Sequence, residues 1–217
     1  MTTIQTTDIV LQLEKWCNER HLDKETQRKG LVANLLEELS EFYRAKDEYE
    51  QVDALCDMIV FCINSLGRDV LSFMQQVQSD EMIKEGTIIS LVDKLQESNH
   101  KLFIYMIIKL ADKQLKQLGY DTYKCLLETI KEISSRTGEF NSSINKFVKE
   151  PGAYSYQEAY KLAKQTAEYN SLSYFCKFKF KLDYENSQTD SDYYIFVDSD
   201  RNIIKIKKWY KANYVKE

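Results

Sequence analysis

Apolar residues recur at Ile9, Val10, Leu13 and Trp16. That spacing predicts a helix buried on one side, with Thr7 or Asp8 placed to cap its start. A second helix is expected from about Asp23 to Lys46, carrying Leu31, Leu35, Leu39 and Phe42. A third is expected from about Tyr49 to Leu66, stopping at Gly67. The link "AKDEYEQ" leaves room only for a tight turn, so these two helices should be antiparallel neighbours. The periodicity predicts further helices over 69–79, 87–97, 101–118 and 121–135, and one over 155–169 after Pro151 and Gly152. Beyond that the period falls to two. "FCKFKFKLDY" alternates Cys176, Phe178, Phe180 and Leu182 against lysines, and "DYYIFVD" and "NIIKIKKWY" read as two more strands around the turn-like "DSDRN". The expected fold class is mainly α, an antiparallel helical bundle with a small C-terminal antiparallel β-sheet. The helical domain is expected over 1–150, and a helix-plus-sheet extension packed on the same domain over 151–217.

Composition agrees with a helical body. Six glycines and one proline in 217 residues are too few for the turns of a loop-rich β protein. The net charge of -4 offers no basic footprint for nucleic acid or an anionic membrane. No window approaches 18 uncharged apolar residues, and the first residues lack a basic segment followed by an apolar one. The five cysteines form no C-x-x-C and lie mostly within apolar patterns, which predicts reduced core thiols. A cytoplasmic protein is therefore expected. His21 and His100 stand isolated, far from any metal-ligand spacing.

The acidic residues between 35 and 64 do change the picture. At about 100° per residue, Leu31, Leu35, Glu38 and Phe42 share one narrow stripe, so a carboxylate occupies an apolar face. Glu41 lies on its flank and Asn34 one turn before Glu38. On the next helix Asp53, Asp57 and Asn64 line one face, and Asp57 is embedded in "LCDMIVFC". Two antiparallel helices would thus point acids at each other with no Lys or Arg interleaved. Such groups persist only when protonated or neutralised by cations. Oxygen-only ligands suit Mg²⁺, or Mn²⁺, rather than Zn²⁺. The bland alternatives are a solvated helix face, which fits Glu37, Glu48 and Glu50, and a polar residue that fixes the pairing of two helices.

"EELSE" followed twelve residues later by "DALCD" resembles the E-x-x-E…E-x-x-D signature of the all-α nucleoside triphosphate pyrophosphohydrolases. That superfamily includes MazG proteins, dimeric dUTPases and phosphoribosyl-ATP pyrophosphohydrolase. The similarity is strongest from Gly30 to Gly67, in "KGLVANLLEELSEFYRAK" and "VDALCDMIVFCINSLG". The resemblance implies a MazG-like bundle in which Glu38, Glu41, Asp53 and Asp57 hold Mg²⁺. Glu38 and Glu41 match the first pair and Asp57 the last acid. The third departs from the pattern: Ala54 stands where the family has Glu, and the acid is Asp53. This Asp-Ala-Leu-x-Asp form resembles phage MazG-like variants. "CLLETIKEISSRTGEFNSSINKFVKE" and "KKWYKANY" resemble later blocks of the same phage proteins, which implies that this part helps to close the nucleotide site. Trp209 and Tyr210 read as packing residues.

The function these readings predict is metal-dependent hydrolysis of a nucleoside or deoxynucleoside triphosphate to the monophosphate and pyrophosphate. Glu38 is expected at the chemistry, with Glu37 as a base or water-orienting residue. Asn34, Asn64, Lys131, Arg136 and Lys146 are expected against the substrate. A homodimer or dimer of dimers is expected, because one helix pair with so broad an apolar stripe would not cover itself. The alternative is a non-catalytic helical adaptor or inhibitor. A di-iron bundle needs Glu-x-x-His pairs, and neither histidine supplies one.

Overall fold

The computed structural model describes residues 1–76, 87–97, 101–144, 146–172, 188–189, 192–197 and 201–217. Among these the chain is mainly helical: α1 (Thr3–Glu19), α2 (Lys24–Arg44), α3 (Glu48–Leu66), α4 (Asp69–Gln76), α5 (Ile88–Glu97), α6 (Lys101–Gln117), α7 (Thr122–Ser135) and α8 (Tyr156–Leu172). Six short strands accompany them: β1 (Gly138–Asn141), β2 (Lys146–Lys149), β3 (Gly152–Ala153), β4 (Gln188–Thr189), β5 (Tyr193–Val197) and β6 (Ile203–Lys208). No described helix is long and apolar enough to cross a membrane.

Local chemistry sets the helix ends. α1 starts at Thr3 rather than near Asp8, because Thr2 and Gln5 form a reciprocal capping box. Asp23 caps α2 by accepting from the Thr26 amide at 2.8 Å, and Asp47 caps α3 from the Glu50 amide at 2.9 Å. Gly67, at φ +56°, closes α3 in a conformation that side-chain-bearing residues rarely adopt. Residues 77–79 of the expected fourth helix, the expected strand at 176–184, His100 and Cys176 lie outside the described residues.

The chain divides into two compact units, Met1–Lys131 with Ala212–Glu217, and Glu132–Lys211. The boundary thus falls inside α7 and not at 150, and the last six residues belong with the helices. β1 and β2 pair with each other, Gly138 opposite Lys149, between the helices expected over 121–135 and 155–169, where no element is predicted.

In the first unit α3 is the central helix, buried nearly all round: Val52, Leu55, Cys56, Met58, Ile59 and Ile63 are among its covered residues. An all-round apolar helix must be enclosed. α2, α6 and α1 enclose it, with α2 making the broadest contact. The Arg28 guanidinium near the start of α2 donates to the Ser65 carbonyl near the end of α3 at 3.1 Å. The two helices are therefore antiparallel, as the short link requires.

The second unit holds a four-stranded sheet in the order β3-β6-β5-β4. It is mixed and not wholly antiparallel, because β3 runs parallel to β6. α8 lies on it through Ala159 and Ala163, against Phe196 and Ile206. Gly152 is required here, since a Cβ would sit 2.0 Å from Trp209 Nε1. Gly152→Ala should destabilise this unit by about 1–3 kcal/mol, the usual cost of overpacking. A urea titration followed by tryptophan fluorescence would read it as a lower midpoint.

Candidate metal and nucleotide site

The carboxylates gather where α2 and α3 face each other. Glu38, on the face of α2 that also carries Leu31 and Leu35, is only 8 % exposed. Burial pushes its carboxyl up to about 8, and the nearby charges of Asp57, Glu41, Asp53 and Glu37 push it the same way. All four of these acids therefore act electrostatically on Glu38. Asp53 and Asp57 are half-buried, while Glu37 and Glu41 are exposed. As the side chains stand, no three His, Cys, Asp or Glu groups among the described residues converge closely enough to share one ion.

Positions 53 and 54 of α3 have different surroundings. Ala54 is 2 % exposed and packed into the core, so a carboxylate at 54 would be pressed into apolar surroundings. Asp53 is half-buried and electrostatically within reach of Glu38. Its Oδ1 accepts a hydrogen bond of 2.7 Å from the Tyr214 hydroxyl, which no local feature of the sequence announces. That hydroxyl also lies 2.9 Å from Thr129 Oγ1.

Asn64 is buried on the same helix, and its Oδ1 has no hydrogen-bond partner. A buried amide oxygen left bare is costly, on the order of 1–3 kcal/mol. Asn64 lines a cavity of roughly 170 Å³ with Val10, Leu13, Cys17 and Ile63. Burial raises the Cys17 thiol there to about 11, so it behaves as an inert core group. Asn34 is half-buried on α2.

The three cations have other settings. Lys131 is paired with Glu128 on α7. Arg136 donates to Glu132 at 2.6 Å and to the Tyr154 hydroxyl at 3.1 Å, with its guanidinium 5.8 Å from the Trp209 ring centroid. It belongs to the second unit and is engaged there as a packed ion pair. Lys146 is exposed on β2, also in the second unit. Trp209 meets Tyr154 edge to face at 5.5 Å, a packing contact. Cys17, Cys56, Cys62 and Cys125 are free and buried, and His21 is exposed.

No protein-family model matches the chain, and no curated protein or solved structure matches it either.

Proposed function

We propose that the first unit is a MazG-like pyrophosphohydrolase that cleaves a nucleoside or deoxynucleoside triphosphate into the monophosphate and pyrophosphate. The observation that carries the reading is Glu38, a buried carboxyl forced well above its ordinary range by burial and by Asp57, Glu41, Asp53 and Glu37. Such an arrangement destabilises the protein unless something compensates it, which is how functional acids differ from structural ones. The donor set fits Mg²⁺ or Mn²⁺, being oxygen-only and strongly negative. Glu38, Glu41, Asp53 and Asp57 are the residues to hold the ion. When bound, it would neutralise the cluster, polarise the phosphoryl oxygens and lower the pKa of a bound water.

The chain's own residues supply the rest. Glu37, exposed beside Glu38, orients the attacking water or takes its proton. Asn64, with its bare Oδ1, and Asn34 are the neutral polar groups for the substrate. Lys131, exposed at its ion pair with Glu128, is the predicted cation that lies in this unit, whereas Arg136 and Lys146 belong to the second. Leu36 and Tyr43, 48 % and 67 % exposed and seven residues apart on one side of α2, support a homodimer or dimer of dimers that covers this face.

The test is a panel of canonical and modified nucleoside triphosphates assayed for pyrophosphate release with and without Mg²⁺. Release by one of them, dependent on the metal, is the expected result. The adaptor reading, favoured by the separation of the acidic groups as they stand, predicts no release and no effect of Mg²⁺.

A further inference from the structure

Another cavity, of roughly 220 Å³, lies where α2, α3, α5 and α6 meet, all within the first unit. Its wall includes Leu39 and Phe42 of α2, Met58 of α3, Ile88 of α5, and Leu110 and Gln114 of α6. This places it beside the carboxylates. Phe42 stands one helical turn from Glu38 on the same stripe of α2, about 6 Å along the axis. Met58 follows Asp57 directly on α3. The space exceeds the ~150 Å³ that accommodates a benzene ring. Its wall also suits a flat ligand, since the half-buried Phe42 brings an aromatic ring and the buried Met58 a polarisable sulfur. The cavity at Asn64 lies two turns from Asp57, toward the other end of α3, and has no aromatic residue in its wall.

The α6 side of this cavity carries a polar group where the helix pattern calls for an apolar one. Ile107, Leu110 and Ala111 are buried on α6, and helical spacing carries their stripe to Gln114. Gln114 is half-buried there, and its Oε1 is covered without a hydrogen-bond partner. An oxygen stripped of water and left unpaired costs the fold stability. The last torsion of a glutamine side chain is broad, so this amide can turn its oxygen and its NH₂ together toward the cavity. It then presents one flat edge, an acceptor beside two donors. The complement of that edge is a ring that carries a donor next to an acceptor, as adenine does with its amino group and ring nitrogen.

We infer that this cavity takes the nucleobase of the triphosphate, with Gln114 reading its hydrogen-bonding edge and Phe42 and Met58 packing on its ring. The inference rests on the reading of the first unit as a nucleotide enzyme. A purely apolar ring would fill the space and leave Gln114 Oε1 as bare as before. A neutral heterocycle with adjacent donor and acceptor satisfies both the volume and the amide. With the base held here, the phosphates fall one turn back along α2, at Glu38.

The test uses nucleosides, which carry the base and no phosphate, so that neither metal nor hydrolysis enters. Saturation-transfer NMR gives the affinities of adenosine, guanosine, cytidine, uridine and thymidine for the wild type and for Gln114→Met, which keeps the length of the side chain. At least one nucleoside should bind the wild type. Gln114→Met should weaken it by about 10–100-fold, the worth of one or two hydrogen bonds whose loss leaves the base edge unpaired. With nothing bound, the same variant should melt above the wild type, because the bare oxygen is gone. Weaker binding with greater stability is a pairing that a purely structural glutamine would not give. Phe42→Leu, which removes the ring, should also weaken binding, and it carries the comparison if Gln114→Met does not fold. No nucleoside bound by the wild type, or wild-type affinity in both variants, would overturn the base site; metal-dependent pyrophosphate release would still leave the proposed function standing. Loss of affinity in Asn64→Leu but not in Gln114→Met would put the base in the other cavity and equally overturn it. Nucleoside binding that depends on Gln114, in a protein that releases no pyrophosphate, would keep the base site and overturn the hydrolysis.

Discussion

Asp57→Ala is expected to lower pyrophosphate release by on the order of 10²–10³-fold, the usual loss when a group that organises charge at a reacting centre is removed. The fold should survive it. Asp57 is half-buried between the fully covered Cys56 and Met58, so truncation opens no deep cavity. Its charge is also the largest electrostatic cause holding the Glu38 carboxyl high. Removing it relieves Glu38, and the metal-free variant should melt at or above the wild-type temperature. Loss of activity without loss of stability separates a functional carboxylate from a structural one. Circular dichroism melts and a pyrophosphate assay on the same preparation give both numbers. Near-normal release by Asp57→Ala would remove Asp57 from the site.

How much of this was legible in the sequence depends on the range of the interaction. The α2–α3 pair was readable because its determinants are local: Asp23 at one end, Gly67 at the other, a short link, and apolar residues at helical spacing. Glu38 was readable as an anomaly for the same reason, a carboxylate on the stripe of Leu31 and Leu35. The hairpin 138–149 was not. Its strands are four residues long, with burial alternating only between intermediate and exposed, so they carry too little apolar pattern to register. β3 is two residues long and owes its existence to a parallel partner at 207–208. Such a strand has no signature apart from that partner. The bond from Tyr214 to Asp53 joins positions 161 apart. Nothing near either residue predicts it, because it depends on the return of the chain's last six residues to the first unit.

Glu38 makes the stability of the metal-free protein fall as pH rises. Its carboxyl titrates near 4.5 in the unfolded chain and at about 8 when folded. Below 4.5 it is protonated in both states and costs nothing. Between the two values the folded state alone still binds the proton, so each unit of rising pH removes up to ~1.4 kcal/mol. The loss runs through pH 8, is complete about a unit above it, and amounts to about 3–5 kcal/mol as an upper bound, a large share of the stability of an ordinary domain. Glu38→Gln removes the titrating group and keeps the shape, so its melting temperature should change far less between pH 5 and 8. Mg²⁺ should act in the opposite direction, because a cation that binds the ionised cluster favours the folded state by linkage. Saturating Mg²⁺ is therefore expected to raise the wild-type melting temperature most at pH 8 and least at pH 5, and to leave Glu38→Gln nearly unmoved at both. Differential scanning calorimetry at the two pH values, with and without the metal, reads all four terms of that comparison. A wild-type curve that is flat from pH 5 to 8 without Mg²⁺ would mean that Glu38 is ionised at no cost, and the argument from its burial would fall with it.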